Sequence, residues 1–209
     1  MTDRQESVAK RTALLALKVL GGACWVAAYR EAITETEEEG TELLPEAALA
    51  FNLAWEAIYS SGGIWTWRKL SLEDRVQTII NISWLVYDVK WLQAVRRHGT
   101  HVRPGLIAMA VTYQLAFLSR LPPGEAARIS ALWQNLGFSA YSALTEAQVD
   151  ERASKFALLR AVGTAVPTVT SGILRGVEPR YLTPGLGCVA FDLLRISRNG
   201  RERGWPFSR

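Results

Sequence analysis

The sequence predicts an all-α chain, an integral membrane bundle of about seven transmembrane helices, and three observations carry that prediction. Seven apolar segments, each near the length that crosses a bilayer, follow one another at 12–29, 47–67, 76–95, 104–121, 127–146, 154–174 and 181–197. The segments are apolar around most of their circumference, whereas a surface helix of a soluble bundle carries a broad charged face. The connectors are short, charged and punctuated by Pro and Gly, and nothing in the chain reads as a strand or as a linker between units, so residues 1–209 form one helical domain.

The segments are justified in turn. The first follows a polar N-terminus with Arg4, Lys10 and Arg11 and carries Lys18, which in a span must snorkel or pair with an acid such as Asp88. The connector after it holds Glu31, Glu35, Glu37, Glu38, Glu39, Glu42 and Glu46 against Arg30, which reads as a solvated loop or a surface helix. Later boundaries fall at 68–75, at 96–104 with Gly99, at 121–125 with Pro-Pro-Gly, at 146–155, and at 176–180 with Pro179. Trp25, Trp65, Trp67 and Trp91 fall towards segment ends, as an interfacial aromatic belt requires. The longest runs without a charge, 129–145 and 104–119, fall short of eighteen residues, so a soluble helical protein stays open as an alternative. Arginines at both ends of the chain leave the orientation open.

Composition narrows the function classes. The net charge is +4 and the basic residues are spread over segment ends, which gives nucleic-acid binding no stripe to use. Membrane lipid is the expected macromolecular surround. Arg195, Arg198, Arg201, Arg203 and Arg209 suit anionic headgroups or a solvated tail. Cys24 and Cys188 stand in apolar settings with no ligand spacing and read as packing residues. The first segment ends in Cys-Trp-Val-Ala-Ala-Tyr-Arg-Glu, so a removed signal peptide is not expected.

The polar residues inside the apolar segments are the ones that point to chemistry. Glu56 is the only charge between Ala47 and Trp67, and Asp192 the only one between Tyr181 and Leu194. Acids so placed are either tied into ion pairs or kept protonated by desolvation, and within a membrane span they mark function by default; the alternative is a pair of structural acids satisfied by hydrogen bonds. Asn52, Trp55 and Tyr59 lie at helical offsets that put them on the face of Glu56. Asn81, Trp84, Asp88 and Trp91 share a face of the third segment. The fourth segment adds Tyr113 and Gln114, and the fifth adds Trp133, Gln134, Asn135 and Tyr141. Such side chains would line an aromatic, dry cavity for a large apolar ligand, or serve as interhelical glue. No Asp-Asp-x-x-Asp, Asp-x-Asp-Asp, Walker or Gly-x-Ser-x-Gly motif is present, and the His98-x-x-His101 pair sits in a basic connector, so no metal and no cofactor is expected.

The stretch Phe51-Asn-Leu-Ala-Trp-Glu-Ala-Ile-Tyr59, followed by Trp84-Leu-Val-Tyr-Asp88, Gln134-Asn135 and Phe191-Asp192, closely resembles the integral membrane terpene cyclases of fungal meroterpenoid and paxilline-type indole diterpene pathways. The short length is more similar to their bacterial relatives from indole sesquiterpenoid, drimentine-type biosynthesis. The likeness runs over almost the whole chain in segment order, and Asn-x-x-Trp-Glu is its most specific element. It implies a bacterial cell-membrane enzyme acting on a prenylated small-molecule substrate, with Glu56 and Asp192 as essential acids and Asp88 as a recurrent acid of the third helix. The long acidic connector and the arginine-rich end depart from the pattern.

The chemistry also fits the residues themselves. Closing a polyprenyl chain into rings without releasing diphosphate needs a proton for a terminal alkene or epoxide, and a buried neutral carboxyl is a suitable donor. Glu56 is the expected acid, Asn52 would orient it, and Asp192 or Asp88 would share its proton, hold it, or remove the last one. Faces of Trp55, Tyr59, Trp84 and Trp133 would stabilise cations. The competing class is a non-enzymatic seven-helix transporter or small-ligand binder, in which the acids are ion-coupling or structural groups.

Overall fold

The computed structural model describes residues 3–40, 45–144, 151–175 and 178–202. Helices follow in the predicted order: α1 (Asp3–Glu39), α2 (Glu46–Thr66), a single 3-10 turn (Trp67–Lys69), α3 (Leu72–Arg97), α4 (Pro104–Leu118), α5 (Pro123–Leu144), α6 (Glu151–Arg175) and α7 (Pro179–Glu202). The described residues contain no strand. Local signals set several of the ends. Gly40 closes α1 with φ +68, Ser71 caps α3 by accepting the Asp74 amide at 3.2 Å, and Pro104 occupies the first turn of α4, where its missing N–H costs nothing.

Six of these helices pack around a closed circuit. The neighbours run α1 to α3, α3 to α2, α2 to α5, α5 to α7, α7 to α6 and α6 back to α1, while α4 lies against α2 and α5. Each circuit helix therefore presents one face to a shared interior. Two crossings are close enough to require glycine. A Cβ at Gly163 on α6 would stand 2.7 Å from Trp25 Cδ1 of α1, and one at Gly185 on α7 would collide with the Thr168 side chain of α6.

The distribution of side chains is the reverse of an ordinary water-soluble core. Buried polar residues include Asn52, Glu56, Asn81, Asp88, Gln114, Gln134, Ser139, Arg160, Asp192 and Arg195, and among the described residues twelve of the twenty-one that form the buried apolar core are alanine. Large apolar residues point outward instead, among them Val19, Leu20, Ile79, Val86, Met109, Leu115, Leu158, Val162, Leu186 and Leu193. By length and composition, one helix among the described residues suffices to cross a membrane, Arg11–Glu39 within α1; α4 is apolar but shorter. The other segments fail that test in part because charged residues such as Glu56, Asp88, Arg160 and Asp192 lie within them. All four are buried.

Of the two readings of the acidic connector, the helix holds and the loop does not. The stretch Glu31–Glu39 continues α1 with Glu37, Glu38 and Glu39 exposed, and four of its carboxylates are met by cations from distant helices: Lys155 to Glu31 at 2.7 Å, Arg152 to Glu35 at 3.3 Å and to Glu38, and Arg97 to Glu37 at 2.7 Å. Residue Glu42 lies outside the described residues. Lys18 is directed to the start of α3, 3.5 Å from the Glu73 carbonyl oxygen, rather than to Asp88. Trp65 is 92% exposed and Trp67 exposed, as a belt requires, but Trp25 and Trp91 are buried. They meet Tyr29 in the core, Trp25 tilted and Trp91 edge-on, with ring centroids 6.2 Å away in each case.

Candidate functional site

The interior of the circuit holds two acidic centres with different surroundings. The first is made by α1, α2 and α3. Glu56 and Asp88 are 3% and 0% exposed, and each lies in electrostatic range of the other, with the Tyr29 phenol directed at Asp88 from α1. The helical spacing explains their meeting. Asn52, Trp55 and Glu56 share the buried face of α2, and Asn81, Asp88 and Trp91 that of α3, so packing α2 on α3 brings the two acids into electrostatic range. Neither Asp88 oxygen, nor Glu56 Oε2, has a partner that meets hydrogen-bond geometry, even though Tyr29 is close enough to interact with Asp88. Buried carboxyl oxygens left without donors are costly, which is a reason to look for function.

Aromatic rings surround this centre in a continuous chain. Trp55 meets Tyr59 at 5.0 Å and Trp84 at 6.5 Å between centroids, and Trp84 meets Trp25 at 6.2 Å. Their polar ends are anchored. Trp55 Nε1 donates to the Ala127 carbonyl at 3.1 Å and to Ser130 Oγ at 3.2 Å, and Trp84 Nε1 donates to the Gly22 carbonyl at 3.2 Å. The Tyr59 hydroxyl is buried without a partner.

One turn along α2, an amide relay crosses three helices. Gln114 Nε2 donates to Gln134 Oε1 at 3.0 Å, and Gln134 Nε2 donates to Asn52 Oδ1 at 2.7 Å. Asn52 is thereby held to α5 by its oxygen. Asn135, the next residue on α5, is half-buried and takes no part in that relay.

The second centre is made by α5, α6 and α7. Asp192 Oδ1 lies 3.9 Å from Arg160 Nη1, with both side chains 1% exposed. Arg160 Nη2 donates to Ser139 Oγ at 2.9 Å, and that hydroxyl is also close enough to interact with the Asp192 carboxyl. Arg195, one turn after Asp192 on α7, is in electrostatic range of it and donates to Ser142 Oγ. The Arg160 guanidinium lies 5.5 Å from the rings of both Trp25 and Phe156. Tyr29 is in electrostatic range of Arg160 as well as of Glu56 and Asp88, so Trp25 and Tyr29 stand between the two centres.

Of the two acids that the sequence offered as partners of Glu56, Asp88 is the one in electrostatic range of it. Two other sequence expectations change. Trp133 is 46% exposed on the outer side of α5, because its neighbour Gln134 takes the inward position, and so it does not face the interior. Arg195 and Arg198 are not a lipid-facing or solvated tail: Arg195 is buried, and Arg198 donates to the Ala143 carbonyl at the end of α5. Arg203 and Arg209 lie outside the described residues.

Arg160 and Tyr29 were not singled out by sequence, although a signal existed for the first. Arg160 is the only charge between Phe156 and Leu174, the same lone-charge pattern that marks Glu56 and Asp192. Among the described residues no group of three or more His, Cys, Asp or Glu side chains converges as a metal site would require. Comparisons with models of known protein families, with curated proteins and with solved structures find no match for this chain.

Proposed function

We propose that the chain is a membrane-bound terpene cyclase of the bacterial cell membrane, which protonates a terminal alkene or epoxide of a prenylated, farnesylated indole or aromatic precursor and guides the cyclisation of the resulting cation. The observation that carries this reading is the Glu56–Asp88 pair, two buried carboxyls in electrostatic range of each other on helices that also carry the ring chain of Trp55, Tyr59 and Trp84. Two buried carboxyls that feel each other's charge resist carrying two charges, so one of them holds a proton that it can deliver. The reversed distribution of side chains, with amides, hydroxyls and acids inside and leucine, valine and isoleucine outside, supports a lipid surround. So does the alanine-rich contact surface, because small residues let membrane helices approach closely.

The reaction needs no external reagent. Glu56 gives its proton to the terminal alkene carbon or the epoxide oxygen, leaving a tertiary cation and a carboxylate. Successive alkene electron pairs then close carbon–carbon bonds, and the last cation loses a proton to a base. Product and substrate are isomers. The aromatic faces stabilise each cation by their quadrupoles, and the anchored indole N–H groups fix those faces. Water must be kept out while cations exist, which a circuit of helices with an aromatic interior favours.

The test is mass spectrometry of membranes containing the chain, incubated with farnesylated and geranylgeranylated indoles. Conversion to products of unchanged mass and shorter retention is expected, undiminished by EDTA. Specific retention of a prenylated indole without turnover would favour the ligand-binding alternative. Recovery of the chain in an alkaline carbonate wash would overturn the membrane reading.

A further inference from the structure

Resting on the cyclase reading, we infer that Arg160 is a positioning residue that holds Asp192 as the terminating base, so that the chain separates its two acid tasks between opposite sides of the helix circuit. The first centre contains carboxyls and phenols, with the Glu56 acid in electrostatic range of the Asp88 acid. The second contains one carboxyl and two guanidiniums, Arg160 and Arg195. A carboxyl among guanidiniums is suited to accepting a proton, whereas a carboxyl facing a carboxyl is suited to giving one.

The geometry of Arg160 serves positioning in particular. Its side chain is 1% exposed, its Nη2 donates to Ser139 Oγ at 2.9 Å, and its Nη1 lies 3.9 Å from Asp192 Oδ1. Held in that way on α5, the guanidinium sets the charge that the Asp192 carboxyl meets, while Asp192 Oδ2 stays without a hydrogen-bond partner. The guanidinium also lies 5.5 Å from the centre of the Trp25 ring, so the ring that borders the first centre also locates the arginine of the second. A cation formed by proton delivery at Glu56 would travel along the prenyl chain as rings close, and the base that ends the reaction must then lie away from the acid that began it. Asp192 meets that requirement. When it removes the final proton, the electron pair of the broken C–H bond becomes the product alkene, and the proton leaves on Asp192. The cycle closes when Asp192 releases that proton and Glu56 takes one up, which leaves no net change in protons.

The test has a spectroscopic and a product arm. Infrared difference spectra of the purified full chain in detergent, wild type against Asp192→Asn, should lose a carboxylate band, whereas wild type against Glu56→Gln should lose the carbonyl band of a protonated acid. Loss of a protonated-acid band in Asp192→Asn would overturn the inference, and this arm is read without any substrate. In the product arm, Arg160→Gln and Asp192→Asn should each shift the ratio of alkene isomers, or of water-trapped alcohol to alkene, by about tenfold in the same direction. The double variant should add little, as expected of groups that act as one unit. Arg160→Lys, which keeps the charge but not the fork, should recover part of the ratio. If Arg160→Gln does not fold, Ser139→Ala, which removes the hydroxyl that Arg160 Nη2 donates to, carries the same test. An unchanged product ratio in variants that merely melt earlier would show a bracing role and overturn the inference. If the wild type converts no prenylated substrate, the cyclase reading fails while the infrared arm still decides the state of Asp192.

Discussion

The two acidic centres are each built around carboxyls buried within apolar helices yet differ in what answers the carboxyl group. On the side of α1, α2 and α3, Glu56 meets Asp88 and the Tyr29 phenol; on the side of α5, α6 and α7, Asp192 meets Arg160, Arg195 and Ser139. Burial is nearly the same for the three acids, so exposure cannot be what separates them. The difference lies in the neighbours supplied by other helices. A lone acid in an apolar segment is thus an incomplete description, because its chemistry depends on whether the fold brings it an acid or a guanidinium.

Glu56→Gln gives the largest expected effect and breaks the comparison most directly. The substitution keeps size and hydrogen-bonding capacity but removes the acidic proton, so single-turnover conversion should fall at least about a hundredfold, with the melting temperature little changed. Near-normal turnover by the folded variant would end the proposal that the first centre initiates. Asp88→Asn should be milder. It leaves Glu56 its proton but removes the partner that shares it, and a loss of about tenfold in the chemical step is expected. Because both Asp88 oxygens lack hydrogen-bond partners, the variant should melt no earlier than the parent. A strong fall in melting temperature would show that Asp88 braces α3 instead.

Gly163→Ala probes what lies between the centres. The added methyl would press on Trp25 Cδ1, and Trp25 borders both Trp84 and the Arg160 guanidinium. Overpacking of that kind costs about 1–3 kcal/mol, readable as a lower melting temperature. If the two centres depend on that ring for their spacing, the product ratio should move as well. A lower melting temperature with an unaltered product ratio would show that the centres are positioned independently of Trp25.

Much of this arrangement was legible in the chain, and what was not has a common cause. The helices and most of their boundaries follow from local signals, such as Ser71 before α3 and Pro104 opening α4. The shared faces of Asn52 with Glu56 and of Asn81 with Asp88 follow from helical spacing alone. Which acid pairs with which does not, because that is decided by the order of helices around the circuit. The stretch Glu31–Glu39 looked solvated because Arg97, Arg152 and Lys155, which answer it, are more than fifty residues away. Trp25 and Trp91 sit near segment ends by count, but α1 and α3 run on past them, to Glu39 and Arg97, so both rings fall within the packed interior. Arg160 carries the same signal as the lone acids, because a lone guanidinium in an apolar helix demands a partner just as strongly.

The smallest expected effect contrasts two tryptophans that sequence placed in one role. Trp55 is buried, has its indole N–H anchored on α5, and stacks beside Tyr59 and Trp84 at the first centre. Trp133 stands on the outer side of α5 with nearly half its surface open. A ring that stabilises cations contributes about 0.5–2 kcal/mol, so Trp55→Leu should slow the chemical step by roughly two- to thirtyfold. Trp133→Ala removes a ring that faces away from the interior, and exposed substitutions of that kind stay within about 0.5 kcal/mol, so its turnover should remain within about twofold of the parent. Both variants are to be measured in the same membranes with the same prenylated indole, beside their melting temperatures. Equal losses at the two positions would mean that the substrate reaches the outer face of α5 as well, and the interior could then no longer be taken as the place where the rings close.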